Sequence, residues 1–105
     1  MVQELLIDIT PSPRNGKKYR ATVYNPASRR TRIVDFGALG YQHYRDSTPL
    51  RTRRYAYLNH NDPVRRRAYF LRHSRVASKN DALAVESAKS KGRITARLLS
   101  HWFLW

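Results

Sequence analysis

From Lys18 to Phe36 the sequence changes face at almost every residue. Lys18–Tyr24 sets Tyr19, Ala21 and Val23 against Lys18, Arg20 and Thr22, and Arg30–Phe36 sets Arg32, Val34 and Phe36 against Thr31, Ile33 and Asp35. A period of two belongs to strands, because successive side chains of an extended chain point to opposite sides. Asn25-Pro26-Ala27-Ser28 between the runs is turn chemistry. Upstream, Val2–Ile9 mixes Leu5, Leu6, Ile7 and Ile9 with Glu4 and Asp8, as expected of a short strand with one buried face. Thr10–Gly16 follows, with two prolines that remove ladder donors and an Asn-Gly pair that favours a tight turn. The expectation is a short antiparallel β-meander over about residues 2–36, its exposed face carrying Arg20, Arg30 and Arg32.

Phe36-Gly37-Ala38-Leu39-Gly40-Tyr41 ends the sheet. It lacks the Lys-Ser/Thr of a phosphate-binding P-loop and the third glycine of a dinucleotide fingerprint, so it reads as a strand-to-helix turn. Beyond it the pattern is helical. Thr48-Pro49 offers a cap with proline at the first helical position, followed by Leu50, Tyr57 and Leu58. Asn61-Asp62-Pro63 is a stronger start, with Val64, Ala68 and Leu71 on one face. Ser74–Asn80 is a polar connection, and Asp81 is expected to cap a helix over Ala82–Ser90 that Lys89–Gly92 breaks. Arg93–Trp105 places Ile94, Leu98, Trp102 and Trp105 on a last stripe. The fold class is therefore α+β, a meander followed by two to four short helices. A single small domain spans 1–105, with the meander in 1–40 and a basic helical part with an aromatic end in 41–105.

Charge dominates the composition. The 105 residues carry 21 Lys+Arg against 7 Asp+Glu, a formal +14, and 16 of the cations are arginine. Like charges at this density oppose compaction, so a negatively charged partner is the natural expectation. Guanidinium is a planar fork suited to carboxylate or phosphate, although a GC-rich genome would also enrich arginine. No apolar run approaches the ~20 residues of a membrane span, and the acidic opening of Met1–Thr10 is unlike a secretory signal. There is no cysteine, which removes thiolate nucleophiles and Cys-type zinc sites.

Nine arginines lie between Tyr41 and Arg75, namely Arg45, Arg51, Arg53, Arg54, Arg65, Arg66, Arg67, Arg72 and Arg75, against Asp46 and Asp62 alone. Tyr41, Tyr44, Tyr55, Tyr57, Tyr69 and Phe70 are interleaved with them. Such a mixture can neutralise phosphates and stack bases, or it can be a solvated face over packed tyrosines. Three consecutive arginines at 65–67 cannot share one helix face, so some must meet other structure or a partner. These nine are the candidate contacts to an acidic protein or a phosphate. Trp102, Phe103 and Trp105 are candidate aromatic anchors, with two competing readings: a tail docked on the sheet, and membrane-interface insertion. The carboxylates are scattered, and His43, His60, His73 and His101 show no paired spacing. His73 is expected at a helix C-terminus, where its charge is favoured. No catalytic residue, metal, cofactor or small-molecule substrate is expected.

The string Phe36-Gly37-Ala38-x-Gly40-Tyr41, then Tyr44, His60-x-Asp62-x-x-Arg65-Arg66-x-x-Tyr69-x-x-Arg72-His73, Leu98-Leu99 and Leu104-Trp105 resembles a family of small basic proteins of unknown function. That family is encoded by nucleocytoplasmic large DNA viruses. Its members run directly from Gly-Tyr into His-x-Asp and continue past Leu-Trp with a basic tail; here Arg45–Asn59 stands as an insertion and the sequence ends at Trp105. The resemblance implies a viral context and a virion component. The expectation is a non-enzymatic minor capsid protein on the inner shell surface, clamping neighbouring capsid subunits through arginine and aromatic contacts. The alternative is a viral protein that neutralises or condenses packaged DNA. Anionic lipid of an internal membrane is a further possible partner, and a ribosome-associated role is a more distant reading of the composition.

Overall fold

The computed structural model describes residues 4–48 and 55–105. Strands β1 (Leu5–Pro11), β2 (Lys17–Asn25) and β3 (Arg30–Ala38) form an antiparallel sheet in the order β1-β2-β3. Both connections follow from their residues. Gly16 takes φ +84 at the tip of the first turn, where Lys17 N–H reaches the Arg14 carbonyl. In the second, the Asn25 side chain accepts from the Ala27 and Ser28 amides, and Arg29 takes φ +57.

Registration of Tyr19 with Phe36, Ala21 with Val34 and Val23 with Arg32 puts the expected apolar face inward. Arg32 is therefore not on the outer face with Arg20. It lies half-buried at the rim of the inner face, donating to both carboxylate oxygens of Glu4. Arg20 is on the outer face, forked onto Asp35 at 2.9 Å and 3.2 Å, and Arg30 is exposed. In β1 the register slips between Leu6 and Asp8, so Ile7 bulges. The bulge lets Leu6 and Ile9 both face the core and leaves Leu5 and Ile7 outside, 48% and 58% exposed.

Among the described residues three α-helices follow: α1 (Pro63–Ser74), α2 (Lys79–Ser90) and α3 (Ala96–Phe103). Asp62 caps α1 by accepting from the Val64 and Arg65 amides, as its position suggests. Ser78, not Asp81, caps α2 by accepting from the Asp81 amide, so that helix starts three residues early. Thr95 caps α3. The helix start expected at Thr48-Pro49 falls on residues outside those described; the Thr48 hydroxyl donates to Asp46, and Ala56–Leu58 form a 3-10 turn. Val2, Gln3, Pro49 and Leu50 lie outside the described residues.

Two helix faces differ from expectation. Val64 and Leu71 are exposed, while Tyr69, Phe70 and Ser74 form the buried side of α1. The two large rings offer far more burial than Val64 and turn the helix accordingly. On α3 the inward residues are Leu99 and His101, and Trp102 stays 43% exposed. Ile94, Leu99 and Leu104 complete a core with Ile9, Tyr19, Ala21, Val23, Val34 and Phe36 of the sheet. Tyr69, Phe70 and Ala82 form a second cluster, and Trp105 packs against both.

Candidate anion-binding cleft

The chain after β3 doubles back. Gly37, at φ +79, faces Lys18 so closely that a Cβ there would stand 3.0 Å from a Leu104 methyl and 3.2 Å from the Lys18 stem. This permits Tyr41–His43 to cover Lys18, which is only 2% exposed despite its place opposite Tyr19 in the alternation. Its ammonium donates to the Tyr41 carbonyl at 2.7 Å and to His43 Nδ1 at 2.9 Å. Burial pulls the Lys18 pKa down to about 8, and burial followed by the Lys18 charge pulls His43 down to about 4. His43 is thus neutral and protonated on Nε2, donating to Asn59 Oδ1 at 2.7 Å. Behind it Asp46 accepts from the Tyr19 hydroxyl, the Thr48 amide and hydroxyl, and the Tyr55 amide. Burial alone would raise its pKa; the bonds from Thr48 and Tyr19 outweigh that and hold it below the usual carboxylate range.

A second buried chain ties the helices. The Tyr69 hydroxyl donates to His101 Nδ1 at 3.0 Å, His101 Nε2 donates to Ser74 Oγ at 2.8 Å, and Ser74 donates to Glu86 at 2.9 Å. Burial keeps His101 neutral, its pKa pulled down to about 4, and pushes Tyr69 up. The serine sits between acid and imidazole, whereas a nucleophilic triad needs the imidazole in the middle. This chain therefore orders helices and leaves no activated hydroxyl.

Between these networks lies a cleft of about 460 Å³, walled by β2, the Gly37–His43 segment, α1 and α3. Lys17, Lys18, Arg65, Arg72, Arg97, His43 and His73 line it, and no Asp or Glu side chain does. Arg65, Tyr69, Arg72 and His73 reach it from α1 at helical spacing along one face, and the Tyr69 ring stacks on Trp105 at 4.0 Å, nearly parallel. His73 occupies the last turn of α1 as expected, but burial, Arg97 and Arg72 lower its pKa, so its charge is not favoured there.

The nine arginines divide. Arg66 serves the fold, donating to the Trp105 carbonyl at 2.9 Å with its guanidinium 4.5 Å from the Tyr44 ring centre. Arg45 lies beside the same ring and donates to Asn61. Arg65 donates to Gln42 at the cleft mouth, and Arg72 lines the wall. Arg67 faces a separate shallow groove toward Ala77–Asn80, and Arg75 is exposed at the left-handed end of α1. Arg51, Arg53 and Arg54 fall outside the described residues. The three consecutive arginines thus do point three ways, one of them, half-buried, onto the protein's own tail.

The aromatic tail is docked. Phe103 lies against Phe36, Leu104 is 1% exposed, and the Ser47 and Arg45 amides donate to the carbonyls of Phe103 and Leu104. Trp102, stacked on Phe103, is the exposed member. Lys17, Lys18 and Arg97 escaped the sequence reading; the glycines at 37 and 40 were the signal that the chain could fold over β2. Among the described residues no group of three or more His, Asp or Glu could hold a metal ion, and no helix is long and apolar enough to cross a membrane. No curated protein matches the chain, and no solved structure does. One family matches over residues 7–73, from inside β1 to the last turn of α1, and the chain accordingly belongs to the DUF5754 family, a family of unknown function.

Proposed function

We propose that this protein is a non-enzymatic structural component of a large DNA virus particle, a minor capsid protein that clamps neighbouring coat subunits. The observation that carries the reading is where the charges go. Glu4 is taken by Arg32, Asp35 by Arg20 and Ser12, Asp46 by Tyr19 and Thr48, Asp62 by the α1 cap, and Glu86 by Ser74. Among the described residues none of Arg67, Arg72 and Arg75 has a carboxylate within ion-pair distance, although Arg67 and Arg72 are exposed on α1 and Arg75 at its end. Unmatched guanidinium groups on a rigid helix suit bidentate contact with the carboxylates of a neighbour. The outer sheet face adds apolar surface, with Leu5, Ile7 and Ile33 about half exposed or more. Viral context rests on the resemblance of the His60–His73 and Leu104-Trp105 pattern.

The reading predicts a fixed ratio to the major coat protein in purified particles, unchanged after nuclease and salt release the genome. Loss of the protein together with the DNA would replace it with the second reading, a nucleic-acid-binding protein. That reading draws on the cleft without Asp or Glu and on the aromatics around it.

A further inference from the structure

The cleft itself has a chemistry that a protein clamp does not need. Lys17, Lys18, Arg65, Arg72 and Arg97 converge on one hollow with no acidic side chain in its wall. The counter-charges near it are already engaged: Glu86, 3.9 Å from Arg97, is bonded to Ser74 and Lys89, and Asp46, whose charge reaches Lys18, accepts from Tyr19, Thr48 and Tyr55. Five cations held together this way repel one another, and the repulsion is relieved when an anion sits among them. Lys18 sharpens the point. An ammonium has three N–H donors, and two of them meet the Tyr41 carbonyl and His43 Nδ1. The third belongs to a group 2% exposed, in the cleft wall, with no further acceptor among the described residues.

We propose that this cleft binds a compact anion carrying more than one phosphoryl group. Its volume of about 460 Å³ falls among small-ligand sites, which run from about 300 to 1,000 Å³. Forked guanidinium groups at the mouth suit phosphoryl oxygens bidentately, and the deep ammonium supplies a point charge. A duplex presents a convex backbone that cannot reach so covered an amine, whereas a terminal phosphoryl group can. Tyr69 and Trp105 close the site on one side as a rigid aromatic wall. The proposal shares Arg72 with the capsid reading but goes beyond it: it concerns the isolated protein, and either can fail without the other.

Calorimetric titration of the full chain with sodium tripolyphosphate at fixed ionic strength tests it. The expected result is saturation at one anion per chain. Lys17→Gln combined with Arg72→Gln should weaken binding tenfold or more. Arg14→Gln combined with Arg30→Gln removes the same charge at exposed positions outside the cleft, and should change affinity less than twofold. Equal weakening by the two pairs, or heat without a defined stoichiometry, would overturn the proposal by assigning the binding to diffuse surface charge. A 20-base-pair duplex at equal phosphate concentration should fail to displace the anion; displacement would overturn it in favour of a nucleic-acid groove.

Discussion

Two imidazoles buried in different networks give this protein its expected pH behaviour. His43 accepts from Lys18 and donates to Asn59, and His101 accepts from Tyr69 and donates to Ser74. Both are held neutral, with pKa values of about 4 against 6.5 for the unfolded chain. The unfolded state therefore binds more protons than the folded one between those values. Stability is fully present above pH 6.5 and is lost as pH falls toward 4. At pH 5 each group should cost about 2 kcal/mol, before Glu4, Asp35 or Asp46 begins to protonate. Urea melts at pH 7 and pH 5 read this directly; equal unfolding free energies would show that neither ring is held as described. Lys18 acts with the same sign at the alkaline end. Its pKa is lowered to about 8, so its burial destabilises below that pH and the loss is recovered toward 10.5. None of this could be read from spacing, because His43 and Lys18 are brought together only by the fold of the chain over β2.

Among the elements, the C-terminal turn carries more than its length suggests. Leu104 is 1% exposed and its carbonyl holds Arg45, while Trp102 is two-fifths exposed and touches chiefly Phe103. Leu104→Ala should destabilise by about 2–5 kcal/mol, as a cavity in a closed core does, and Trp102→Ala by less than about 1 kcal/mol. Thermal or urea unfolding of the two variants checks this; a reversed order would make the tail an anchor rather than core. The three strands were legible because their alternation and turns are local signals, and Tyr19, Ala21, Val23, Val34 and Phe36 face the core as the pattern requires. The bulge at Ile7 was not legible, since nothing near it distinguishes Leu5, Ile7 and Ile9 from a regular strand. The face of α1 was misread for a different reason. Val64, Ala68 and Leu71 satisfy helical spacing, but Tyr69 and Phe70 are adjacent, and only the packing of Trp105 and Ala82 decides that both go inside. The candidate contacts were partly legible: Arg65 and Arg72 do line the cleft, and Arg66 does not.

At the scale of the molecule, the internal carboxylates are spent on structure and the arginine surplus is left outside. A small fold with one main core has little stability to spare against self-repulsion, and the proposed clamp would relieve that repulsion by setting the positive surface against a neighbour's carboxylates. The signature from His60 to His73 divides the work. His60 Nδ1 accepts from the Asp62 amide, Asp62 caps α1, and Arg66 and Tyr69 hold Trp105. Arg65 and Arg72 remain facing the cleft mouth and wall. Residues that serve the fold and residues that line the cleft thus alternate along a single helix. The most direct test of the central claim is a density map of the intact particle, averaged over the shell. The account predicts the three-stranded sheet and its helices on the inner shell surface, with Arg67, Arg72 and Arg75 within ion-pair distance of coat-protein carboxylates. A shell without that density, in particles whose protein is recovered only with the genome, would contradict it.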